Sequence, residues 1–128
     1  MKKPIIYFFC IINFFTVQSW GQNFDLDGFR FSIIKSNTEV SIIRCIGLFD
    51  ESRIVIPSSV SYNGKSYSVT QIGNNVFYEF TNLTSVTIPN TVTYIGNNVF
   101  GGCTALTSIV IPNSVTTFGN GVVKNCLT

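Results

Sequence analysis

Apolar and polar positions along this chain fall into a pattern that returns every 23 residues. Ile72-Gly73-Asn74-Asn75-Val76-Phe77 recurs as Ile95-Gly96-Asn97-Asn98-Val99-Phe100 and, more loosely, as Phe118-Gly119-Asn120-Gly121-Val122-Val123. A fixed period of this length marks a solenoid, in which each unit buries its apolar face only against its neighbours. Within a unit, Leu83-Thr84-Ser85-Val86-Thr87-Ile88-Pro89 aligns with Leu106-Thr107-Ser108-Ile109-Val110-Ile111-Pro112. Val86 and Ile88, or Ile109 and Ile111, alternate inward around an outward Thr87 or Val110, which predicts a short strand. Pro89 and Pro112 end it, because proline cannot donate to a neighbouring rung. Val92 with Ile95, and Val115 with Phe118, predict a second extended piece. Gly73, Gly96 and Gly119 then predict a tight corner at positive φ. Asn74 and Asn97 are expected to cap a single helical turn that carries Phe77 and Phe100 inward.

The pattern does not reach the start of the chain. Residues 22–52 lack the repeat and predict two strands, Phe29–Ile34 and Val40–Ile46, around a polar turn at Ser36-Asn37-Thr38. Such a β-hairpin would cap the first rung, whose apolar face and open strand edge otherwise meet water. The first repeat is irregular: Ile54-Val55-Ile56-Pro57 matches the later strands, but Pro57 and Pro89 are 32 positions apart. The excess lies in residues 61–69, where Asn63-Gly64 between Tyr62 and Tyr67 predicts an inserted β-hairpin, since both central residues of a type I′ turn take positive φ. At the N-terminus, Lys2 and Lys3 precede an apolar run from Ile5 to Val17 and small residues at Ser19 and Gly21. This reads as a signal peptide over residues 1–21, the run being too short for the roughly 20 residues of a membrane span. The chain thus divides into 1–21, a 22–52 β cap, and repeats over 53–128, the last one incomplete.

The landmarks Leu83, Val86, Ile88-Pro89, Val92, Ile95-Gly96, Val99-Phe100, Cys103 and Leu106 together resemble the BspA-like leucine-rich repeat. The resemblance covers Arg53 to Thr128. It implies a leucine-rich-repeat solenoid, a right-handed superhelix of mainly short parallel β-strands with single helical turns. It also implies an exported or surface protein of a family that includes adhesins, with no catalytic residues. This chain departs from the pattern at Val123 in place of Phe and at Phe80 in place of the first Cys, and Thr91 and Ser114 stand where ordinary leucine-rich repeats carry Asn or Cys.

Charge narrows the partners. Beyond residue 21 the chain carries six basic and six acidic side chains, and from Ile72 onward only Glu79 and Lys124 are charged. Nucleic-acid binding runs on clustered Lys and Arg, so it is not expected. There is no histidine, hence neither the usual general base nor the commonest metal ligand. Asp25-x-Asp27-Gly28 lacks the later ligands of a calcium loop and reads as a turn before the first strand. No enzyme, cofactor or metal is expected. Cys103 and Cys126 are 23 positions apart, so their Cα atoms should lie about 5 Å apart in adjacent rungs, within disulfide reach. The alternative is that each thiol packs in its own rung.

What remains is binding. The strand face, with Thr84, Ser85, Thr87, Thr107, Ser108 and Val110 outward, offers a flat, uncharged surface for an extracellular protein or glycan. Tyr62, Asn63 and Tyr67 of the inserted hairpin are candidate loop contacts, the alternative for the two tyrosines being half-buried packing of the strands or loops. Two other readings stay open: a structural spacer within a larger cell-surface repeat protein, with end-to-end self-association through the weakly charged repeats, and a lattice-matching row of outward threonines.

Overall fold

The computed structural model describes residues 22–48 and 51–126, so the expected signal peptide lies outside the described residues. Nine strands and one short helix follow in order: β1 (Asn23–Leu26), β2 (Phe29–Ile34), α1 (Lys35–Thr38), β3 (Glu39–Cys45), β4 (Arg53–Val55), β5 (Ser59–Tyr62), β6 (Lys65–Ile72), β7 (Ser85–Thr87), β8 (Tyr94–Ile95) and β9 (Thr117–Phe118). They make two sheets. One runs β1-β2-β3-β6-β8-β9 with β5 on β6, and the other pairs β4 with β7. The rungs are bounded by these two sheets, with the core between them.

The N-terminal segment is a three-stranded antiparallel meander rather than a two-stranded hairpin. Asp27 (φ 48) and Gly28 (φ 85) form the two-residue connection from β1 to β2, so the expected lone turn is itself a hairpin turn. Arg30 closes across it on Asp25, at 2.7 and 2.8 Å from the two carboxylate oxygens, and this hydrogen-bonded pairing holds the Asp25 carboxyl below its ordinary value. Strand β3 then turns the meander into the solenoid by pairing parallel with β6, Val40 opposite Val69 and Ile42 opposite Ile72.

Asn63 (φ 51) and Gly64 (φ 73) turn the chain from β5 into β6. The insertion is not a side growth from a loop: its second arm continues without a break into the rung strand that ends at Ile72 and pairs with β8. Tyr62 and Tyr67 are 6% and 5% exposed. Tyr62 stacks on Phe24 at 4.1 Å between ring centroids, and Phe24 stacks in turn on Phe31. The hairpin base and the meander therefore share one aromatic cluster.

Two local expectations for the repeat change. Gly73, Gly96 and Gly119 do not take positive φ. They are needed for clearance: a Cβ on Gly96 would sit 2.5 Å from Asn74 Oδ1 and 2.8 Å from the Asn74 backbone nitrogen. Nor do Asn74 and Asn97 cap a helical turn. Asn75 and Glu79, Asn98 and Gly102, and Gly121 and Asn125 all take positive φ, which breaks a right-handed helix after three residues and leaves a succession of turns. The freed amides are used between rungs instead. Asn97 N–H donates to Asn74 Oδ1 at 2.8 Å, and Asn120 N–H to Asn97 Oδ1 at 2.7 Å. Thr93 and Thr116 hydroxyls donate in the same direction, to the Thr70 and Thr93 carbonyls.

The core rows descend through the stack. Phe77 and Phe100 are fully buried and stack face to face, 5.4 Å apart with 1° between planes. Phe80 fills the first Cys position and meets Phe77 edge-on. Burial fades in the third rung, where Ile109, Ile111, Val115 and Val122 are half-buried and Phe118 and Val123 stand exposed. The short strand expected at Ile109-Val110-Ile111 does not form a ladder with β7. Half-buried Ile109 and Ile111 supply less of the packing that sets buried Val86 in register with Ile54 of β4.

Candidate binding face

The outward surface is fixed by the β4–β7 register: Arg53 lies opposite Ser85, Ile54 opposite Val86 and Val55 opposite Thr87. Both strands alternate exposed, buried, exposed, so Ile54 and Val86 enter the core. Outward there are two pairs, Arg53 with Ser85 and Val55 with Thr87, and Ser108 and Val110, exposed at the equivalent positions of the next repeat, follow them without a strand ladder. Val55 and Val110 are 70% and 79% exposed, so two repeats each present an apolar valine outward where Thr87 stands in the repeat between them. Thr107 is also exposed.

Thr84 is spent differently from the expectation. Its hydroxyl donates to the Ser52 carbonyl at 2.7 Å, tying two rungs together, which leaves it a weaker contact group than its exposure suggests. Of the expected loop contacts only Asn63 stands at the surface, at the hairpin tip. Tyr62 and Tyr67 belong to the core, because β5 and β6 pack their Tyr-bearing side on the meander. Arg53 and Val55 are face residues that the outward-threonine reading missed; the match of Ile54-Val55-Ile56-Pro57 to the repeat strand was the available signal.

No group of three or more His, Cys, Asp or Glu among the described residues could hold a metal ion. The bridge considered between Cys103 and Cys126 is not formed, and both thiols are free. Each donates to a carbonyl of the preceding rung, Cys103 to Phe77 and Cys126 to Phe100, both at 3.0 Å. Burial pushes the Cys103 thiol up to about 11 and raises that of Cys126 as well. Thiolate is the reactive form, so alkylation of the native chain at mildly alkaline pH should reach half-buried Cys126 well before fully buried Cys103. Peptide mapping after a timed alkylation reads the order, and equal rates would contradict it. The same shift has a sign for stability. The folded chain holds the Cys103 proton more tightly than the unfolded one, so this contribution is complete below pH 9 and is lost as pH rises from there through about 11.

Short parallel strands, a 23-residue register from β6 through β8 to β9 and side-chain ladders between rungs define a leucine-rich-repeat protein. Residues 58–128 match the family described as BspA type leucine rich repeat region (6 copies), and the chain belongs to that family. Solved structures agree on the fold. A leucine rich cell surface protein from Faecalibacterium prausnitzii is 32% identical, with TM-score 0.69 over 83% of this chain and 28% of that one. A leucine-rich repeat protein from Bacteroides capillosus is 26% identical, with TM-score 0.63 over 77% of this chain and 93% of its own. One from Bacteroides ovatus is 25% identical, with TM-score 0.61 over 80% of this chain and 33% of its own. The chain therefore spans about a third or less of the length of two of these relatives. It matches no curated protein.

Proposed function

We propose that this chain is a non-catalytic exported binding module whose strand face takes an extracellular protein or glycan. The single observation that carries the reading is the outward pair of Val55 and Thr87, in register across β4 and β7 with Ile54 and Val86 in the core beneath, and with exposed Val110 at the equivalent position of the next repeat. Outward valines with hydroxyls beside them desolvate cheaply and still offer hydrogen bonds at their border. In this reading the solenoid is right-handed, residues 1–21 direct export, residues 22–52 cover the first rung, and residues 53–128 carry the repeats. The description of the Faecalibacterium relative as a cell surface protein supports the location.

A second reading has its own observation. The exposed Phe118 and Val123 of the third rung suit a stacking segment of a longer surface protein, or end-to-end association with a second copy. One pair of variants separates the two. Thr87→Arg and Val110→Arg, with unchanged circular dichroism, should each weaken capture of an extracellular partner selected on the unaltered chain by about tenfold or more, about 1.4 kcal/mol. Unchanged capture by both variants removes the strand face and leaves the stacking role.

A further inference from the structure

The repeat should make its turn side flush, because equivalent residues stack one above another. At one place it does not. Tyr78, Gly101 and Lys124 occupy the same position in successive rungs, as do Glu79, Gly102 and Asn125. Loss of both side chains in the middle rung leaves a cleft of about 390 Å³, floored by Gly101 and Gly102 and walled by Tyr78 and Lys124. The walls are held by the ladder itself: Glu79 N–H donates to the Gly101 carbonyl and Gly102 N–H to the Lys124 carbonyl, both at 2.8 Å. The size falls within the range of small-molecule sites, about 300–1,000 Å³.

The groups lining it share one chemistry. Tyr78 is 47% exposed, and its ring is steadied on one side by Gly101, where a Cβ would lie 3.1 Å from two ring carbons. Asn75, Asn98 and Asn125 bring three primary amides to the cleft. Unlike those of Asn74 and Asn97, whose Oδ1 atoms accept ladder bonds, none of these amides is engaged within the described chain. An amide both donates and accepts, as a sugar hydroxyl does. An aromatic face offers the apolar platform on which the C–H face of a pyranose rests. Lys124 is the one charged side chain in the lining, and Glu79 Cγ packs over Gly102 at its border, so most of the polar groups facing the cleft are neutral amides.

The geometry points to a neutral saccharide subsite on the turn side of the repeat, with Tyr78 as stacking platform and Asn75, Asn98 and Asn125 as hydroxyl partners. It is separate from the strand face and stands whether or not that face binds a partner. It rests on positions 78, 101 and 124, and 79, 102 and 125, where the side chains of the repeat differ from rung to rung.

The test is an NMR titration of the ¹⁵N-labelled chain with methyl glucoside, methyl galactoside, methyl mannoside and N-acetylglucosamine in parallel. At least one should shift the Gly101 and Gly102 amides with a Kd of about 1 mM, a single-sugar affinity of about −4 kcal/mol. Tyr78→Phe keeps the ring and should bind within about twofold, whereas Tyr78→Ala should bind about tenfold more weakly or not at all. Tyr78 is half-exposed, so both variants should fold, and the remaining amide spectrum checks it. The proposal is overturned if no neutral sugar moves these amides, if Tyr78→Ala binds like the unaltered chain, or if only glucuronate, added as the charged control, produces the shift.

Discussion

Replacing Phe77 by alanine is expected to cost this chain about 3–5 kcal/mol, the range for deleting a fully buried aromatic. The side chain is the hinge of the core. It stacks on Phe100 with planes 1° apart, meets Phe80 edge-on at 5.7 Å, and touches Phe29 of the N-terminal meander edge-on at 6.2 Å. One ring thus joins the meander, the first turn and the second rung, and its loss opens a cavity no single neighbour can fill. Against a total stability of about 5–15 kcal/mol the variant should be mostly unfolded or close to it. Val123 occupies the equivalent place two rungs later and is 46% exposed, so Val123→Ala should cost less than about 1 kcal/mol. Urea denaturation of both variants gives the comparison, and equal midpoints would mean that the aromatic column does not organise the stack.

Gly96→Ala is the second large effect, about 3 kcal/mol or more from a single methyl group. Its Cβ would lie 2.5 Å from Asn74 Oδ1, 2.8 Å from the Asn74 nitrogen and 2.8 Å from the Gly73 carbonyl carbon. Two of these three atoms are backbone, so relief requires the rungs to part, and parting breaks the Gly96 N–H bond to the Ile72 carbonyl and the Asn97 bond to Asn74 Oδ1. Gly64→Ala is the control. It sits at φ 73 with nothing within 4 Å of the added carbon, so it should cost only the strain of a left-handed residue, about 1 kcal/mol. Thermal unfolding of the two variants should separate them clearly; a Gly96→Ala chain as stable as Gly64→Ala would show that the rungs are not in tight register at this corner.

That corner also shows where the sequence stops being legible. A glycine looks the same in a sequence whether the backbone needs positive φ or a neighbour needs the space of its Cβ. The true positive-φ positions, Asn75, Glu79 and their equivalents, are filled mostly by residues that also serve polar surfaces. The period itself was plain, because burial of Ile72, Ile95, Phe77 and Phe100 leaves no freedom in spacing. Asn63-Gly64 was legible for the same reason as its chemistry: few other pairs take two positive φ angles. Asp27-Gly28 carries an equally good signal, but only four residues precede it in β1, and that strand is recognisable mainly from its partner. Tyr62 and Tyr67 stayed open between loop contact and packing because a polar-tipped ring reads alike on a surface or in a core. It was Phe24, from a segment outside the repeat, whose ring stacks on Tyr62 and lies tilted beside Tyr67. Thr87 could be placed outward, since inward Val86 and Ile88 leave it no other direction, whereas its neighbour Val55 was missed although Ile54 and Ile56 flank it in the same way.

The side-chain ladders carry a consequence for how such a chain can change its length. Asn97 bonds to Asn74, Asn120 to Asn97, Thr93 to Thr70 and Thr116 to Thr93, each across 23 positions. A duplicated stretch of 23 codons would arrive with its own donors for the rung before it and its own acceptors for the rung after it, wherever in the repeats the copy began. Insertions of any other length would misalign the asparagine, threonine and phenylalanine columns together, unless they fell, as the Asn63-Gly64 hairpin does, outside those columns. Whole-unit gain and loss is therefore the mutational path of least resistance for this gene.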